Sequence, residues 1–170
     1  RYYLKSNANK SVYTEDFREA IEKTTGEPMD WFFDQWVYKM GHPIFDITKN
    51  YDEAKKQLTL IVKQTQKTES ANDYPQGDFF QGKVEIEIDG RIEKVWLEPK
   101  AENIFSFESS QQPKLVNFDY ENTWIKESKF QKTLDELLYQ LQYDKDVLSR
   151  RTAMLELVSQ AKSEKTSAAE

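Results

Sequence analysis

Side chains able to do hydrolytic chemistry are present in this 170-residue sequence, but none has the company it needs. A hydrolytic zinc centre asks for two histidines at helical spacing with a glutamate beside them; His42 is the only histidine. It stands in Gly41-His42-Pro43, where it reads as a turn residue at a helix exit. There is no cysteine, which excludes disulfides, thiolate metal sites and a cysteine nucleophile. Asp30 and Asp34 lie one helical turn apart and could be drawn as an acid/base pair. The simpler reading makes Asp30 a helix cap and puts Asp34 on the polar side of that helix. The five glycines stand singly and none opens a phosphate loop; no G-x-S-x-G elbow occurs. The sequence therefore offers no catalytic, cofactor-binding or metal-binding residue.

What it offers instead is aromatic surface. Trp31, Phe32, Phe33, Trp36 and Val37 crowd one short helical stretch, more apolar bulk than a single stripe requires. Tyr74, Phe79 and Phe80 form a second group, which could contact carbohydrate or peptide or simply cover the edge of a core. A net charge of −6, with bases and acids both scattered, argues against a nucleic-acid partner. No apolar run approaches the roughly 18 residues of a membrane span.

The elements that must carry these residues fall into parts of different periodicity. Residues 1–41 read as helical, with Arg1 to Lys5 as the last turns of a helix begun elsewhere. Thr14 is placed as an N-cap followed by Glu15 and Asp16; Phe17, Ala20 and Ile21 recur at helical spacing until Gly26 and Pro28. The next helix is expected from Asp30 to Gly41. Residues 44–123 switch to a period of two: Phe45 and Ile47, then Leu58, Leu60 and Val62, then Val84, Ile86 and Ile88, then Phe105 and Phe107, then Val116 and Phe118. Asp89-Gly90 marks a tight hairpin, and Glu85 and Glu87 read as a solvated strand face. Residues 124–161 return to helix: Phe130, Leu134, Leu137, Leu138 and Leu141 share a face, a turn at Tyr143–Asp146 leads into a second helix, and the tail from Ser163 is expected to fray. The fold class expected is mixed and mainly β, an antiparallel β-sandwich flanked by an N-terminal helical segment and a C-terminal helical hairpin.

The joined pattern Thr14-Glu15-Asp16-Phe17, Thr25-Gly26, Trp31-Phe32-Phe33-Asp34-Gln35-Trp36-Val37 and Gly41-His42-Pro43 resembles the end of the catalytic domain of zinc aminopeptidases of the aminopeptidase N family, a group of gluzincin metallopeptidases. Leu58–Val62 followed by Lys63-Gln64-Thr65-Gln66 is similar to an early strand of that family's sandwich and the Q-x-Q after it. Pro113-Lys114 through Phe118-Asp119 is similar to its last strand, after which a helical-repeat domain begins. The resemblance implies three domain pieces: the end of a thermolysin-like catalytic domain (1–43), a β-sandwich (44–123) and the start of a helical-repeat domain (124–170). It implies a parent that holds zinc and removes N-terminal amino acids from peptides. The H-E-x-x-H helix, the third zinc ligand and the transition-state tyrosine of the family all precede this region, so the fragment itself would scaffold and link domains without zinc or catalysis. The missing catalytic domain would then pack on the Trp31–Trp36 helix. The competing reading is an independent β-sandwich interaction module with no enzymatic parent; neither assigns a compartment.

Overall fold

The alternation of apolar and polar residues builds two facing sheets. The structure, a computed structural model, describes residues 1–167, with side chains through Lys162. After α1 (Tyr2–Ser6), α2 (Thr14–Thr25) and α3 (Asp30–Trp36) come strands β1 (Ile44–Asp52), β2 (Gln57–Gln64), β3 (Gly82–Ile88), β4 (Arg91–Leu97), β5 (Glu102–Glu108), β6 (Val116–Phe118) and β7 (Glu127–Phe130). The chain closes with α4 (Leu134–Tyr143) and α5 (Val147–Ser167). One sheet runs β5-β2-β1-β7 and the other β4-β3-β6. The fold is the expected mixed, mainly β sandwich with helical flanks.

Between the sheets lie Phe45, Ile47, Leu58, Leu60, Val62, Val84, Ile86, Ile88, Leu97, Val116 and Phe118, with Phe105 and Phe107 half-buried at the margin. Burying about eleven such side chains, each contributing roughly 1.5–3 kcal/mol, is the main force offsetting chain entropy here. The Asp89-Gly90 hairpin has φ of +48° and +85°, both left-handed, as the two-residue turn joining β3 to β4 requires.

Several expectations are corrected. Every strand pair is antiparallel except β1 with β7, which run parallel, Ile44 facing Glu127. Strand β7 falls in the stretch read as helix from residue 124, so Phe130 sits on a sheet and helix resumes only at Leu134. Lone Phe130 in Glu-Ser-Lys-Phe leaves no alternation to read. The Trp/Phe helix ends at Trp36, not Gly41, because the residues after it turn to pair with the 75–77 loop: the Met40 amide donates to the Pro75 carbonyl at 2.9 Å. Neither Thr14 nor Asp30 is a cap: each is the first helical residue of its helix. The tie at the start of α2 is Asp16, which accepts from the Tyr13 amide at 2.7 Å, while Asp30 pairs with Arg18. Gly26 does terminate α2, at φ +76°. Helix α5 continues to Ser167, so the first five residues of the tail expected to fray from Ser163 are helical instead, and its last three lie outside the described residues.

Candidate functional site

Five aromatic rings and a glycine converge where α3 meets the open end of the sandwich. Trp36 packs on Phe80 (4.9 Å between ring centres) and on Trp124 (5.9 Å), while Trp31 meets Trp96 of β4 edge-on at 5.1 Å. Trp31, Phe32, Trp36 and Trp124, with Met29, Gly82 and Lys83, line a mostly apolar groove of about 490 Å³. Gly82 is its floor. A Cβ there would lie 2.9 Å from the Trp124 ring and 3.3 Å from Trp31, so only glycine lets both indoles close over the strand.

Two glutamines hold the floor in place. Gln64 donates to the Phe80 carbonyl and accepts from the Phe80 amide, both at 2.8 Å. Gln35 does the same for Gln81, at 2.8 and 2.9 Å. Each side chain thus imitates a neighbouring strand for one residue, satisfying backbone that would otherwise be buried unpaired. Gln66 extends the arrangement, accepting from the Ile44 amide (3.0 Å) and donating to the Asp78 carbonyl (2.8 Å). The Gln64-Thr65-Gln66 motif is therefore a clamp on residues 78–80, and Gln35 extends it to Gln81.

The far wall is set by Asp119, which is 2% exposed and left-handed at φ +57°. Its carboxylate accepts from the Thr123 hydroxyl (2.7 Å), the Trp124 amide (3.0 Å) and the Lys126 ammonium (2.5 Å). These contacts fold residues 119–126 back so that the Trp124 indole N–H reaches the Lys83 carbonyl at 3.0 Å. Nothing in the sequence marked Asp119 as more than the end of a strand. Outside the groove, Phe33 is buried between Phe17 and Tyr38, but Phe17, Val37, Tyr38 and Met40 stay exposed, as does Phe32 on the groove itself, so an apolar surface surrounds α3. The Tyr38 hydroxyl donates to Glu15 at 2.9 Å, and that bond raises the phenol above its ordinary pKa.

The other candidates do not assemble into chemistry. His42 Nε2 lies 2.9 Å from Glu127 Oε1, which ties the turn to β7. Asp30 and Asp34 take separate basic partners, Arg18 and Lys39. Phe80 is fully buried, Phe79 is 37% exposed and Tyr74 73%, so the second aromatic group divides between core and surface. Glu85 pairs with Lys94 across the β3–β4 hairpin (3.0 Å), but Glu87 is no mere solvated side chain: it accepts from buried Asn117 at 2.7 Å. Among the described residues, no three His, Asp or Glu side chains are grouped to hold a metal, and no helix is long and apolar enough to cross a membrane. The donor set here does not fit a zinc ion.

The chain matches no family model. It is 31% identical over 61 residues to a glutamyl aminopeptidase of Bitis rhinoceros and 28% identical over 61 residues to one of Rattus norvegicus, covering 36% of this chain and 6% of each relative. It is also 26% identical over 70 residues to transcription initiation factor TFIID subunit 2 of Saccharomyces cerevisiae, covering 41% of this chain and 5% of that protein. The crystal structure of Legionella pneumophila aminopeptidase A, in complex with aspartic acid, superposes with a TM-score of 0.75 at 20% identity. That match covers 92% of this chain and 18% of the other. The fold is shared, and the chain spans only a small part of the proteins it is similar to.

Proposed function

We propose that this chain is a noncatalytic segment of a zinc-dependent aminopeptidase of the gluzincin type, a parent that removes N-terminal amino acids from peptides. The observation that carries the reading is the joint likeness: 61 residues similar to glutamyl aminopeptidases, within a chain whose fold matches over 92% of its length to 18% of an aminopeptidase A. In this reading residues 1–43 end a thermolysin-like catalytic domain, the sandwich follows, and α4 with α5 opens a helical-repeat domain. The segment links domains, and the exposed apolar surface around α3 receives the catalytic domain. Zinc would be held by residues outside this chain.

The test is biochemical. The purified chain should bind no stoichiometric zinc and release no amino acid from chromogenic aminoacyl amides, while the parent does both; tight zinc or metal-dependent hydrolysis by the chain itself would overturn the assignment. A second reading has its own support, since one relative is named as a transcription factor subunit and not as a peptidase. A parent with this fold and altered zinc ligands would act through interactions alone. The parent's sequence discriminates the two: an intact H-E-x-x-H upstream of Arg1 favours the peptidase.

A further inference from the structure

The helical hairpin meets the sandwich through polar side chains and few apolar ones. Asn117 on β6, 7% exposed, donates to Glu87 of β3 (2.7 Å) and to Asp144 at the end of α4 (2.9 Å), and accepts from Lys132 (2.6 Å). Lys132 also donates to Gln140 (2.7 Å), whose amide donates to the Ser149 carbonyl on α5 (3.1 Å). Glu136 of α4 accepts from the Val116 amide at 3.1 Å, occupying the open edge of β6, and its other oxygen pairs with Lys49 of β1. One carboxylate thus grips both sheets. On the hairpin, Leu137 and Ala153 are the buried apolar residues among those described, while Leu134, Leu138, Val147, Leu148, Met154 and Leu155 remain about half exposed.

We propose that the joint between sandwich and hairpin is a polar latch centred on Asn117, which fixes the angle of the hairpin and can be released without unfolding the sandwich. The physical ground is the small net gain of such contacts. Undocked, every latch group exchanges a protein partner for water, and little apolar surface is exposed by the opening. The sandwich core, by contrast, is wholly apolar and contains no hairpin residue. The two parts therefore have separate sources of stability, and the hairpin is the one that opens first.

The chain has no native cysteine, so spin labels can be placed through Lys100→Cys on the sandwich and Arg151→Cys on α5. The intact latch gives one narrow inter-label distance. Asn117→Ala broadens it and speeds amide exchange in α4 and α5 by about tenfold or more, with β2 and β3 changed by less than about twofold. Because Asn117 lies in a strand, the double variant Lys132→Met with Asp144→Ala attacks the same latch without replacing a strand residue, and it decides the matter if Asn117→Ala does not fold. An unchanged distance in that double variant, or exchange rising equally in strands and hairpin, overturns the proposal.

Discussion

Replacing Gly82 by alanine tests whether the groove is built as described. The residue has φ +151°, and the added methyl would sit 2.9 Å from one carbon of Trp124 and 3.3 Å from Trp31. Backbone strain of this kind costs about 1–3 kcal/mol, and overpacking a fitted contact costs about 1–3 kcal/mol more. Trp124 cannot simply swing aside, because its indole N–H is engaged by the Lys83 carbonyl and its amide by Asp119. We expect a loss of about 3 kcal/mol, which at a urea slope of about 2 kcal/mol per molar moves the midpoint down by roughly 1.5 M. Tryptophan fluorescence reads the transition directly, since Trp31, Trp36, Trp96 and Trp124 all meet at or beside this site. Gly26→Ala is the matched control: φ is +76° there but nothing lies within 4 Å of the new methyl, so it carries backbone strain alone, about 1 kcal/mol. If the two variants lose the same stability, Trp31 and Trp124 do not close over Gly82 and the groove is wrongly drawn.

Other substitutions probe the core, the far wall and the latch. Leu60→Ala, at a fully buried position, should cost about 2–5 kcal/mol by urea unfolding, while Glu85→Ala, in an exposed pair, should stay within about 0.5 kcal/mol; equal effects would refute the β2–β3 packing. Asp119→Ala leaves Lys126 buried without its partner and should cost about 3–5 kcal/mol, with a red shift of Trp124 emission as the 119–126 loop opens. Burial lowers the pKa of Lys132 to about 8, partly opposed by the nearby carboxylates. Between about pH 8 and the ordinary lysine range the unfolded chain holds a proton that the folded chain has lost, so stability rises with pH across that window and levels off above it. Lys132→Met should abolish the rise; an identical pH profile in both proteins would contradict the burial of this ammonium.

How far the sequence could be read depended on whether a residue acts locally. Leu58, Leu60 and Val62 announce a strand because the period-two pattern and the burial it produces occupy the same few residues, and Asp89-Gly90 announces its turn through its own backbone preference. Strand β7 was illegible because its pairing with β1 joins residues such as Ile44 and Glu127, and its side chains hardly alternate. Helix α3 was overextended because the aromatic run continues the helical pattern past Trp36, whereas its end is decided by hydrogen bonds from a loop near Pro75. At the candidate site, the tryptophans were visible by type, but Asp119, Gln35 and Gln64 entered only as members of motifs, with no role of their own. Their importance lies in partners between four and 46 residues away, and a glutamine bound to distant backbone looks in sequence like any polar residue. Glu87 failed for the same reason: strand alternation placed it toward solvent, and the hydrogen bond from Asn117 comes from another strand.

The glutamine clamp also bears on how this protein ages. Gln35 and Gln64 each work by presenting a donor to a carbonyl and an acceptor to an amide of the same residue. Slow hydrolysis of a side-chain amide would turn either into glutamate, which has oxygens only when ionised. The carboxylate would then confront the Gln81 or Phe80 carbonyl, setting repulsion where a bond had been. No change of shape would warn of it, because the two side chains are nearly isosteric. Yet the segment that carries Phe80 and leads into Gly82 would lose its hold, so the groove's lifetime is tied to the chemical integrity of two neutral side chains.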